Sequence, residues 1–156
     1  MGRARVTGAL AVPDVIGLWG DKIKAVATRP AFKWRDAHDL GFLHDVIEGM
    51  IATEVRHGVP VGQRSVQDLM RSALDVSSRI YGKTPEELVP LLETRLASGE
   101  LDDYATFGED MRRWFSSEVF DSYETLGYLD RLLDNARLEL ERGLELCREL
   151  VPEFAA

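Results

Sequence analysis

Residues 117–150 read "SEVFDSYETLGYLDRLLDNARLELERGLELCREL", and their periodicity decides the fold class. Apolar side chains recur at Phe120, Tyr123, Leu126, Leu129, Leu133, Ala136, Leu140, Leu144 and Cys147, mostly three or four residues apart. Successive residues of an α-helix turn by ~100°, so this spacing keeps one apolar stripe on one side of a long amphipathic helix. Such a helix could pair with a second copy as a coiled-coil arm. The charges flanking the stripe are irregular, however, and the length suits packing across a bundle made by the rest of the chain, which is the expected arrangement.

Towards the N-terminus the same period persists. "DDYATFGEDMRRWF" (102–115) reads as helical, and residues 85–97 form a short helix announced by Thr84, Pro85 and Glu87. Residues 65–82, "SVQDLMRSALDVSSRIYG", place Ser65 and Asp68 at capping-box spacing and Gly82 at a C-terminal stop. A helix starting near Trp34 runs to His57, where "HGVPVG" breaks it. Pro13 opens another, residues 14–29, which ends before Pro30 and is weakened by Gly17 and Gly20. Strand-like alternation is confined to "RVTGALAVP" (5–13). The expected fold is all-α: a single-domain helical bundle over residues 1–156 with at most one short peripheral N-terminal strand.

Composition fits one hydrophobic core. The chain has 156 residues and 45% hydrophobic content, enough for one domain and too few for two independent ones. A lone cysteine, Cys147, excludes an internal disulfide and a cysteine-rich metal site. No segment has the apolar length of a membrane span or of a signal peptide, so a soluble, cytoplasmic protein without membrane contact is expected. The formal charge of -8 is uneven: residues 1–35 carry seven Lys or Arg against Asp14 and Asp21. That basic end either attracts phosphate or docks on the acidic remainder of its own chain.

Polar residues interrupt the first two apolar faces. On a helical wheel Val15, Ile16, Trp19, Ile23, Val26 and Ala27 share one arc with Leu18 at its edge; Lys22 intrudes into it while Lys24 points away. In the second helix Leu40, Phe42, Leu43, Val46, Ile47, Met50 and Ile51 define the inner arc. Asp36 and Asp39 lie inside it, Asp45 and Glu48 outside, and Glu54 and His57 on the inner side near the far end. Charges placed there must pair, reach an open cleft, or meet a ligand. Asp36 in a first turn also interacts favourably with the helix dipole. Lys22, Arg35, Asp36 and Asp39 are expected to form one polar cluster, with Asp39 paired to Lys22 and Arg35 serving Asp36. His38, His44 and His57 are expected to be structural or surface residues.

At these positions the chain resembles a known family. "DKIKAVATRPAFKWRDAHDLGFL" (21–43) is similar to the stretch that follows the catalytic core in nucleotidyltransferase-like toxins of the AbiEii/AbiGii group. There a Lys-x-x-Ala-x-x-x-Arg run precedes Arg-Asp or Lys-Asp, two residues, and Asp-Leu. Lys22, Ala25 and Arg29 match the first part, and Arg35, Asp36, Asp39 and Leu40 the second, within residues 12–46. The resemblance implies toxin–antitoxin or phage-defence ancestry. Lys22, Asp36 and Asp39 would occupy catalytic positions, with Lys22 on a nucleotide phosphate, and Arg29 and Arg35 would bind substrate. The family's preceding lobe carries a Gly-Ser turn and an Asp-x-Asp pair that hold divalent metal; this sequence has no "GS" and no such pair ahead of residue 12. Phosphoryl chemistry needs those oxygen ligands.

Two functions are therefore expected. The first is a non-catalytic helical protein that acts through a protein partner, without cofactor or metal. The second is the helical half of a split nucleotidyltransferase, using Mg and NTP once joined to a separate catalytic lobe. Nucleic-acid binding by the isolated chain is disfavoured by its acidity.

Overall fold

Pro13 stands in the first turn of the first helix, where its missing N–H costs no intrahelical bond, and α1 runs Val12–Thr28. The computed structural model describes residues 12–58, 64–81 and 83–151. After α1 come α2 (Trp34–His57), α3 (Val66–Tyr81), α4 (Pro85–Ala97), a 3-10 turn (Glu100–Asp102), α5 (Tyr104–Trp114), α6 (Ser117–Thr125) and α7 (Tyr128–Leu150). Among the described residues there is no strand, and the chain is an all-α helical bundle. Val12 and Pro13 are already helical; the rest of the strand expected over residues 5–13, and the stop at Gly82, lie outside the described residues.

Local chemistry fixes the helix starts. Thr84 and Glu87 form a reciprocal capping box, with Thr84 N–H on Glu87 at 2.9 Å and Glu87 N–H on the Thr84 hydroxyl at 3.2 Å. Asp103 accepts from Thr106 N–H at 3.1 Å and Ser116 from Val119 N–H at 3.3 Å. At α3 the Ser65 hydroxyl accepts from Asp68 N–H, and the Glu54 carboxylate, arriving from the end of α2, accepts from Val66 N–H at 2.6 Å. Each such cap contributes about 1 kcal/mol. The inner-side position expected for Glu54 thus has a use, whereas His57 is exposed.

The long C-terminal helix is two helices. Leu126 ends α6 and Gly127 turns the chain with φ 68°, a left-handed conformation that favours glycine. Because the stripe is cut there, Leu126 is 71% exposed while Leu129, Leu133, Ala136, Leu140, Leu144 and Cys147 keep their register and are buried. Burial pushes the Cys147 thiol up to about 12, which leaves it an un-ionised core residue. The packing is intramolecular: α7 lies chiefly on α2 and then α4, while α1 lies chiefly on α3 and then α2.

Gly41 and Gly143 allow close approaches. A Cβ at Gly41 of α2 would overlap the carbonyl oxygen of Leu132 in α7, and one at Gly143 would sit 3.0 Å from Ile23 Cγ2 of α1. Trp19, Ile23, Leu40, Ile47, Leu74, Leu92, Phe107, Leu132 and Leu140 fill the shared core. Several single-arc expectations fail. Leu18 and Phe42 are 41% and 54% exposed. Lys24, expected to point outward, is buried. For Lys24 the reason is that α1 has neighbours on more than one side, so a helix wheel with one inner face misplaces the second. Lys24 is close enough to Lys83, just ahead of α4, that burial first and then the like charge lower its pKa.

Candidate functional site: a polar junction and a buried glutamate

The short connection Arg29–Lys33 brings the end of α1 against the start of α2. Asp36 occupies the first turn of α2 and its side chain is only 4% exposed. Lys22 Nζ lies 3.3 Å from Asp36 and 2.8 Å from Asp39, so one ammonium bridges both carboxylates. Arg29 closes the other side through its guanidinium on Asp36. Asp39, whose side chain is 36% exposed, also meets His38 Nδ1 at 3.2 Å.

Arg35 does not serve Asp36. Its guanidinium lies 4.7 Å over the Trp114 ring. Adjacent residues on a helix point about 100° apart and do not face each other, whereas Arg29 reaches Asp36 across the helix junction. Of the residues singled out from the sequence, the structure brings Lys22, Arg29, Asp36 and Asp39 together and leaves Arg35 on a neighbouring aromatic face.

The electrostatics follow from that geometry. Burial works against the Lys22 charge, but the hydrogen bond and charge of Asp39, with those of Asp36, raise its pKa above the ordinary value. Burial likewise works against the Asp39 carboxylate, yet His38 and Lys22 hold it below its ordinary value. Two cations and two anions are spent on each other. Arg95 of α4 adds a brace, donating from Nε to the Val26 carbonyl at 3.1 Å and from Nη2 to the Arg29 carbonyl at 2.7 Å. It thus satisfies carbonyls at the C-terminal end of α1.

A second polar node lies deeper. Glu139 of α7 has no exposed surface, and its Oε1 accepts from Trp19 Nε1 at 2.8 Å. Its Oε2 meets His44 Nδ1 at 2.6 Å and Arg142 at 3.3 Å. Arg142 also pairs with Glu48. His44 and Glu48, four residues apart, share one face of α2, and with Glu139 they bring three candidate metal-ligating atoms within 4.8 Å of one another. No metal ligand is expected from the sequence, and His44 is expected only to be a structural or surface residue. The missed signal is Glu139 itself, three residues after Ala136 and one before Leu140, on the stripe that faces the core.

A third feature is an open cleft of about 490 Å3 between α5, α6 and the start of α7, bordered by Tyr104, Glu109, Arg112, Phe120, Glu124 and Asp130. Arg112 lies 4.4 Å over the Phe120 ring. Tyr104 donates to Asp134, and that bond, burial, and the charges of Asp134, Asp102 and Asp130 raise its phenol pKa.

No protein-family model, curated protein or solved structure matches the chain. No described helix is long and apolar enough to cross a membrane.

Proposed function

We propose that the chain is a non-catalytic helical interaction protein resembling the C-terminal region of a nucleotidyltransferase-like toxin. The closed charge balance at the α1–α2 junction carries this reading. Lys22 and Arg29, the side chains a phosphate would need, are engaged with Asp36 and Asp39. A phosphate entering there would have to break ion pairs already made, two of them with the buried Asp36 carboxylate.

The partner-facing surface in this reading is the cleft of α5, α6 and α7. Its border carries Glu109, Glu124 and Asp130 against Arg112. Leu126, beside it in sequence, is 71% exposed, and Val119 and Trp114 are exposed as well. An acidic cleft suits a basic segment of a protein partner.

The test is capture from native extract by the immobilised chain, compared with a Glu124→Lys/Asp130→Lys variant of unchanged helical content. A partner retained by the natural chain and lost from the variant is the expected result. Equal retention by both, or none by either, sinks the assignment of the cleft. Catalysis by the chain alone, which the non-catalytic reading rules out, has a separate readout. Labelled nucleotide incorporation by the purified chain with Mg, abolished by Lys22→Ala or Asp39→Ala, would put nucleotidyl transfer in place of the interaction role.

A further inference from the structure

We infer that His44, Glu48 and Glu139 form a site for one divalent transition-metal ion, with Zn2+ the best chemical match. Three independent features converge on it. The ligand atoms come from two helices packed face to face and lie within 4.8 Å of one another. The mixture of one imidazole and two carboxylates suits borderline divalent ions, and Zn2+ with three protein ligands keeps a fourth position for water. Glu139 is also oriented from behind, since Trp19 Nε1 donates to Oε1 and leaves Oε2 turned towards His44 and Arg142. A carboxylate held in this way by an outer hydrogen bond is the usual support of a metal ligand.

The local charge balance points the same way. Two carboxylates, Glu48 and the fully buried Glu139, share one guanidinium, that of Arg142. Arg142 and Glu48, with side chains 24% and 50% exposed, give the node access to solvent. The Arg142 guanidinium spans Glu48 and Glu139, the two carboxylates a metal would bridge. Metal binding therefore displaces Arg142 from both carboxylates, and the arginine competes with the ion.

That competition supplies a signature that nonspecific binding to an acidic protein lacks. The full chain is titrated with Co2+ as a spectroscopic probe and with Zn2+ in competition. One ion per chain is expected, with ligand-field bands in the visible. Glu48→Gln, at the solvent edge and away from the apolar core, should weaken binding at least ~10-fold, an order of magnitude typical of lost metal-site support. His44→Gln should do the same, while Arg142→Gln, which removes the competitor, should tighten binding. The assignment is overturned if binding is not saturable, if Glu48→Gln binds like the natural chain, or if Arg142→Gln binds no better. Circular dichroism on each variant separates a lost ligand from a lost fold.

Discussion

The two polar nodes use similar residues in opposite surroundings. At the α1–α2 junction the cations Lys22 and Arg29 are 25% and 39% exposed, so water shares in screening their pairs with Asp36 and Asp39. Around Glu139 the carboxylate is fully buried and its Trp19 partner is too. An ion pair near solvent gains little, because the charges were already well solvated. A buried carboxylate must have every oxygen engaged, and losing its partners costs far more than making them gained. The cations of the junction can thus be resolvated when a pair is broken, whereas the Glu139 node ties α1, α2 and α7 through a Trp19 donor that water does not reach.

The sharpest way to break this contrast is Glu139→Ala. It leaves Trp19 Nε1 without its buried acceptor and removes the anion facing His44 and Arg142. A loss of about 3–5 kcal/mol in unfolding free energy is expected, read by urea denaturation. Glu139→Gln retains an acceptor for Trp19 and should lose less. If Glu139→Ala costs no more than a surface substitution, the node is not what joins the three helices.

Next in size is Asp36→Ala. Asp36 is nearly as buried as Glu139, but both its cations reach water and can be resolvated when it is removed. About 2–3 kcal/mol is expected by the same measurement. A loss equal to that of Glu139→Ala would mean that solvent access to the partners does not matter here. Arg35→Ala should leave Asp36 unaffected, since Arg35 lies on Trp114 instead.

How far these nodes can be read in the sequence depends on distance along the chain. The Lys22–Asp39 pair is legible because a short connection forces the end of one helix against the start of the next, and both residues interrupt apolar arcs. The Trp19–Glu139 bond joins residues 120 positions apart, and nothing local in either helix specifies the other. Arg95 is similar, since its two carbonyl partners are backbone atoms of α1 and carry no residue code. Helix existence was legible throughout, from period and caps. The break at Gly127 was not, because apolar spacing continues across it and only the left-handed backbone at one glycine interrupts the helix. Burial of Lys24 escaped for a different reason. A wheel has one inside, and α1 packs against α2, α3 and α4 together.

The smallest effect is the coupling between Lys22 and Asp39, and its pH dependence sharpens the comparison most. A double-mutant cycle with Lys22→Ala and Asp39→Ala should give a coupling of ~0.5–1 kcal/mol near neutral pH, as for a partly exposed pair. Asp39 is depressed below its ordinary 3.8, so its contribution is present above that value and fades as pH falls through the lower folded pKa. Lys22 is raised above its ordinary 10.5, so its contribution is complete below that value and fades as pH climbs through the higher folded pKa. The coupling should therefore be flat between about pH 5 and pH 9 and disappear at both extremes. It should also shrink as salt is raised from 0.01 to ~1 M, because exposed charges are screened over a shorter distance. Zero coupling throughout the flat range would show that Asp36 and Arg29 alone fasten the junction. A coupling of several kcal/mol, insensitive to salt, would instead mean that water screens the junction no more than it does the buried Trp19–Glu139 bond and that the contrast between the two is lost.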